Sequence, residues 1–407
     1  MIRHIAGWLI ALVLAVFVGL WSFAIANERR APAIALATGA PAAGIAKAGV
    51  AFASFAARQA QREGETVSAM ERELAAEAYR SEPLSTSALG LLALSMRTDA
   101  EAQRRQSLLE LAGKLSRRNT LVNNELIQSA AKRNDDRGFF TWLSRLMSTG
   151  EGAKKAYGAA LADATAKEGA VEALTPILGG GVNWADYYWA LVARYPNSLV
   201  NAAKLRLAVA GRPWRQTEVK PTDQQILSGL VRIGEFDAAR ALANGLDSTR
   251  SLSRRNSSNL LRNADFSTVP VLAPFDWQLS TSGNLGASID GTRKEMLISA
   301  IGGARGMAAQ QLLSLPPGEY SLAWKLATSG PADSDALSAQ LECAERGGNS
   351  KTFSRILLKS RETQARMIVQ NDTCRWYWFS IMVEIPDADP GIDLSLRNLS
   401  LAKSTER

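Results

Sequence analysis

With 407 residues the chain can bury two independent cores, because single hydrophobic cores stop growing by about 300 residues. The net charge of +8 is uneven, 32 Lys and Arg against 23 Asp and Glu before residue 258 and 15 against 16 from there on, so the first part is basic and favours anionic partners. The single histidine, His4, precedes the first apolar segment, which excludes His-based triads, His general bases and His-ligated metals from the folded body; no run of five like charges and no basic-aromatic interleaving points to nucleic acid.

From Ile5 to Ala26 the chain runs 22 residues without a charge, and about 20 suffice to cross a bilayer as a helix. Residues 5–26 are read as a transmembrane helix that anchors the protein. A cleaved signal peptide is the competing reading, since Ala24-Ile25-Ala26 has the small-x-small form of a cleavage site. The flanking charges, Arg3 on one side and Glu28, Arg29 and Arg30 on the other, do not set an orientation. Residues 27–48, rich in Ala, Gly and Pro, read as a linker or a first small-residue helix.

Residues 49–250 carry helical periodicity. Three segments align, "LAAEAYRSEPLS" from Leu74, "LAGKLSRRNTLV" from Leu111 and "WALVARYPNSLV" from Trp189, each a helix end running into a polar turn and a new helix. In "LVRIGEFDAARALANGL", Leu230 to Leu246, Gly234 ends one helix and Phe236, Ala239 and Leu242 form the apolar stripe of the next. This hairpin resembles a tetratricopeptide repeat, which implies an α-solenoid that docks a protein partner; an irregular helical bundle is the alternative. Gly179 to Gly181 lacks the Lys-Ser/Thr of a phosphate loop and reads as a turn. The cluster Trp184, Tyr187, Tyr188 and Trp189 reads as core.

A second linker is expected at 251–258, after which the period changes from helical to two-residue alternation. In "NADFSTVPVLAPFDW", Asn263, Asp265, Phe266 and Trp277 resemble the start of the jelly-roll carbohydrate-binding modules related to the xylan- and glucan-binding families. "LSLPPGEYSLAWKL" (Leu313 to Leu326) is similar to their Pro-Gly-x-Tyr entry into a central strand, and "IDLSLRNLSLAK" (Ile392 to Lys403) to their closing strand. The resemblance implies an antiparallel β-sandwich over 259–403 that begins with a strand at the Asn263 stretch and contacts a glycan. It also raises a structural calcium near Asn263 and Asp265, against which stands ordinary turn chemistry at a strand start. No other cofactor is expected.

Two cysteines, Cys343 and Cys374, are too few for a zinc site without histidine and read as a disulfide, hence an oxidising compartment; two buried thiols are the alternative. With the resemblance to glycan-binding modules, this places the body in the periplasm, anchored in the inner membrane by a single pass.

Alternation puts Leu337, Ala339, Leu341 and Cys343 inward, and Tyr320, Leu322, Trp324 and Leu326 likewise. The strand at 374–383 has aromatics on both faces. Requiring Cys374 to share a side with Cys343 turns Trp376 and Trp378 inward, leaving Arg375 and Tyr377 to join Lys325, Gln340 and Glu342 as an outer glycan-binding platform.

The function expected is a membrane-anchored, non-enzymatic envelope protein that docks a protein partner and touches a polysaccharide during its assembly or export. The alternatives are a protein-only periplasmic assembly scaffold and, less favoured, a carboxylate-dependent glycan enzyme, for which Asp333/Asp335 and Asp387/Asp389 fall in Pro-flanked loops instead of a cleft.

Overall fold

The computed structural model describes residues 2–39, 44–62, 64–219, 223–250, 259–328, 335–345, 352–370 and 374–404. The expected linker 251–258 and Asp333 lie outside the described residues. The chain divides into two compact units, the first holding residues 1–161, 172–177 and 182–184, the second 162–171, 178–181 and 185–407. The division therefore falls inside the helical region, and the last helices group with the sheets.

In the first unit the helices are α1 (Ile2–Asn27), α2 (Pro32–Ala37), α3 (Gly44–Gln61), α4 (Ala69–Ser81), α5 (Thr86–Ser95), α6 (Ala102–Leu115), α7 (Thr120–Lys132) and α8 (Asp136–Met147), with α9 (Glu151–Ala164) and α10 (Ala170–Gly179) at its border. From Gly7 to Asn27, 21 residues with mean hydropathy 2.6, α1 is long and apolar enough for a membrane span, a test that a signal sequence also passes. Within 27–48, α2 and the start of α3 place residues 32–37 and 44–48 in helix. From α3 to α8 each helix packs on the next, and α5 also touches both α3 and α7, an arrangement consistent with hairpin repeats. Small residues permit the close approach: a side chain at Gly113 would meet Leu126 and Trp142 at 2.8 Å.

One buried carboxylate ties α3 to α4. Ser68 and Glu71 form a capping box at the start of α4, and Glu71, fully buried, also accepts from the Arg58 guanidinium and, at 2.8 Å, from the Ser54 hydroxyl. Burial pushes this carboxyl up, but Arg58, the Ser68 N–H and Ser54 together outweigh it and hold it at about 2. A folded value below the ordinary 4.5 gives stability that is present above pH 4.5 and lost as the pH falls towards 2. Glu71→Gln is expected to cost about 1–3 kcal/mol at pH 7 and to flatten the decline between pH 4.5 and 2, read by urea melts followed by circular dichroism. Parallel declines in wild type and variant would contradict this.

The second unit contains α11 (Ala185–Val192), α12 (Leu199–Ala210), α13 (Gln224–Ile233) and α14 (Phe236–Arg250). Gly234, in the left-handed region at φ 86°, ends α13 as expected, and Phe236, Ala239 and Leu242 are buried along α14. Tyr188 and Trp189 of the aromatic cluster are buried too, as is Trp184 in the first unit.

The strands are β1 (Gln278–Leu279), β2 (Thr281–Ser282), β3 (Leu285–Asp290), β4 (Glu295–Ala300), β5 (Arg305–Ser314), β6 (Gly318–Thr328), β7 (Leu337–Cys343), β8 (Thr352–Leu357), β9 (Gln364–Val369), β10 (Trp376–Glu384) and β11 (Ile392–Lys403). They form two antiparallel sheets, ordered β1-β5-β10-β7-β8 and β2-β3-β4-β11-β6-β9, whose inner faces bury one core that includes Phe266, Trp277, Tyr320, Leu322, Trp324 and Phe379. The β-sandwich expectation holds, with one correction: the Asn263–Trp277 stretch is a chain of turns, and the first strand starts at Gln278. Positive φ at Asn263, Phe266 and Leu272, with Pro270 and Pro274 in the same stretch, is incompatible with a continuous ladder. Phe266 and Trp277 still anchor the segment in the core, and buried Gln311 clamps it by bonding both the N–H and the carbonyl of Arg262, at 3.1 and 2.7 Å.

Candidate functional site

Register decides which side chains share a face. Across the β1-β5-β10-β7-β8 sheet the direct partners Gln278, Gln310, Ser380, Gln340 and Arg355 form one row, and Leu312, Trp378 and Glu342 form the next. The opposite parity, with Tyr377, Phe379, Ile381, Ala339 and Leu341, lies in the core. The first row is therefore on the outer face, where it spans four strand spacings, about 19 Å. It is a lane of hydrogen-bonding groups: Gln310 donates to Gln278 at 2.9 Å, and Arg355 reaches Glu384 at 3.2 Å. Half-buried Trp378 stands beside it.

Of the five residues expected as a platform, only Gln340 and Glu342 meet on this face. Tyr377 is 0 % exposed, within the core, and its hydroxyl donates to the Cys374 carbonyl at 2.8 Å. Lys325, on β6, is on the outer face of the other sheet, directly opposite Arg397. Arg375 precedes β10 and forms a double ion pair with Asp237 of α14, both contacts 3.1 Å. The correction has a definite cause. Cys343 and Cys374 are joined, Cα atoms 6.0 Å apart, but Cys374 lies two residues ahead of β10, and the two-residue period does not extend across irregular backbone. It is Tyr377 that pairs with Cys343 and shares its inward side. Trp378, which sequence reasoning placed in the core, is the aromatic residue left on the outer face.

Trp376 shares the parity of Trp378 but is 2 % exposed, because protein already covers it. Its ring lies 5.7 Å from Phe236, 6.0 Å from Phe275 and 4.8 Å below the Arg240 guanidinium. Helix α14 thus occupies the Trp376 end of the outer face, and Gln224 of α13 adds a hydrogen bond to the Ala273 carbonyl.

Near the expected calcium position, Asn263 gives its carboxamide to the Thr268 backbone, donating at 2.8 Å and accepting at 3.2 Å, and Asp265 accepts from the Ser267 hydroxyl at 3.0 Å. Both side chains are engaged in their own loop, as turn chemistry requires. Among the described residues the one close grouping of three potential metal ligands is Cys343, Glu345 and Cys374, and its two sulfurs are bonded to each other. The carboxyl of Asp276 is pushed up by burial although it accepts from the backbone N–H groups of Val271, at 3.0 Å, and Trp277, at 2.7 Å; it fixes the loop beside Phe275.

No family model matches the chain, and no curated protein matches it. Among the solved structures that resemble about a third of it are carbohydrate-binding modules. One described as "CBM4 structure and function" has 14 % identity and TM-score 0.27, covering 35 % of this chain and 99 % of its own. A TmCBM61 module in complex with β-1,4-galactotriose has 14 % identity and TM-score 0.25, covering 36 % and 100 %. The N-terminal cellulose-binding domain of Cellulomonas fimi β-1,4-glucanase C has 16 % identity and TM-score 0.23, covering 35 % and 95 %.

Proposed function

We propose that the protein is a membrane-anchored, non-enzymatic component of the cell envelope, with its body in the periplasm, whose helical region docks a protein partner and whose sandwich contacts a polysaccharide during assembly or export. The observation that carries the glycan part is the outer lane of Gln278, Gln310 and Gln340 with Trp378 beside it. Amides and hydroxyls complement sugar hydroxyls, and an indole offers the apolar face on which a pyranose ring stacks. The apolar α1 and the Cys343–Cys374 disulfide support the anchor and the oxidising compartment.

A protein-only scaffold is the second reading, favoured by Trp376, since one end of the same sheet face already binds helix.

The discriminating experiment is a glycan array with full-length protein in detergent, followed by Trp378→Ala and Gln340→Ala. Each variant is expected to keep the wild-type circular dichroism spectrum and to lose about tenfold in affinity, 1.4 kcal/mol. Absence of any glycan signal, or binding indifferent to both substitutions, would favour the scaffold.

A further inference from the structure

The turns that follow α4 and α6 share one end of the helical layer in the first unit. Gly44, where α3 starts, lies against the side chains of Ser81 and Glu82, and Asn119, at the start of α7, donates to the hydroxyls of Thr86 and Ser87 at the start of α5, both at 3.4 Å. Helices α3, α5 and α7 therefore begin side by side, and since they touch in series the second turn stands about 20 Å from α3. This end presents apolar and cationic groups together. Leu84 and Leu115 are 73 % and 41 % exposed. Lys114, Arg117 and Arg118 are exposed as well, and among the described residues none of the three side chains has a hydrogen-bond or ion-pair partner. Fully buried Asn123 donates to the Arg117 carbonyl at 2.8 Å, and the Arg118 N–H donates to the Ser116 hydroxyl at 3.3 Å, so the backbone that carries the cations is held in place. Glu82 is the only acid in the two turns. The apolar α1 leaves from the same end: a side chain at Gly49 of α3 would meet Pro32 at 2.9 Å and the Glu28 carbonyl at 4.0 Å. The turn after α1, with Glu28 half-buried and Arg29 and Arg30 exposed, thus rests on α3 about 8 Å along the helix from its start.

We propose that this end of the helical layer lies on an anionic phospholipid surface, with Leu84 and Leu115 in the headgroup region and Lys114, Arg117 and Arg118 against lipid phosphates. The proposal rests on the reading of α1 as a retained anchor and gives the body a second, separate contact with the bilayer. Three cations at an anionic surface favour contact by on the order of a hundredfold, and the positive ends of the α3, α5 and α7 dipoles point the same way. Exposed leucines beside basic residues are the pairing that an interfacial surface takes, the apolar groups entering below the phosphates and the cations staying level with them. An acidic protein would satisfy the same charges, but only a bilayer is already held at this end by α1.

The test places an environment-sensitive nitrobenzoxadiazole probe on Leu84→Cys in the full-length chain, labelled without reductant so that the Cys343–Cys374 bond stays closed. The protein is reconstituted into nanodiscs of phosphatidylcholine alone or of phosphatidylcholine with about one third phosphatidylglycerol. The probe should be blue-shifted and about threefold brighter in the anionic discs, and high salt should reverse the gain. Lys114→Glu/Arg117→Glu/Arg118→Glu should erase the difference between the discs, whereas Lys114→Arg/Arg117→Lys/Arg118→Lys should keep it, with circular dichroism checking that both fold. Equal emission in the two discs overturns the proposal, as does a difference that survives charge reversal. Greater enhancement by polyglutamate in neutral discs than by anionic lipid overturns it too, and makes the occupant an acidic protein. Failure of the chain to elute with the discs overturns the anchor reading and this proposal together, while co-elution with an unchanged probe overturns this proposal alone.

Discussion

Arg206→Ala is expected to destabilise the second unit by about 3–5 kcal/mol, the range for removing one partner of a buried ion pair. Arg206 is fully buried within α12, and its guanidinium bonds both oxygens of Asp223, itself 2 % exposed. It also donates to the carbonyls of Gln216 at 2.8 Å and Thr217 at 3.1 Å. One side chain thereby ties α12 to the connection that leads into α13, and Gln216 in turn donates to the carbonyls of Leu178 and Gly179 at the end of α10. Asp223 occupies the N-cap position of α13 without a side-chain capping bond, and both its oxygens bond Arg206. Truncating Arg206 removes the guanidinium that a buried carboxylate and two backbone carbonyls share. Urea unfolding followed by tryptophan fluorescence measures the cost. The double substitution Arg206→Met/Asp223→Leu, which removes both charges and keeps apolar volume, should recover much of the loss. A single-variant cost under 1 kcal/mol would show that the pair holds nothing in place.

What was legible in the sequence was whatever depended on local periodicity. Leu337, Ala339 and Leu341 face inward on β7, Tyr320, Leu322 and Trp324 do so on β6, and β11 covers the expected closing strand. Gly234 closes α13 because few other residues adopt its left-handed conformation at no cost, and that too is local. What was not legible depended on a break in the period or on a partner distant in the chain. Cys374 fixed a covalent bond but not a strand parity, so Tyr377 and Trp378 exchanged sides. The turns around Asn263 replaced a strand because Pro270 and Pro274 interrupt the run. The expected grouping of Lys325 with Gln340 and Glu342 fails because alternation assigns a residue to the outside of its own sheet without saying which sheet that is. The Phe236 stripe reads as an ordinary hairpin, and nothing near it in sequence announces Trp376, 140 positions later.

That pairing leads to the last expectation. Trp376→Ala should cost about 3–5 kcal/mol, as large as for a core aromatic, although Trp376 points away from the sandwich core. The ring is enclosed by Phe236, Phe275 and Arg240, so its removal leaves a cavity between α14 and the outer face of β10. The exposed Arg375–Asp237 pair beside it contributes under about 1 kcal/mol, since solvent screens it, and Asp237→Asn should be nearly silent. The division of the chain carries the same consequence for fragments. A piece spanning 162–404 keeps α14 on Trp376 and should unfold in one cooperative transition. A piece starting at residue 259 matches the sandwich expected from sequence, but it exposes Trp376 and Phe275 and should melt lower, with red-shifted tryptophan fluorescence and dye binding to the uncovered patch. Equal stability of the two fragments, together with a Trp376→Ala cost under 1 kcal/mol, would mean that α14 merely rests on the sandwich. The predicted result instead makes the last hairpin part of the sandwich's folding unit. Any event that moves α14 would then uncover an aromatic residue at the edge of the Trp378 lane.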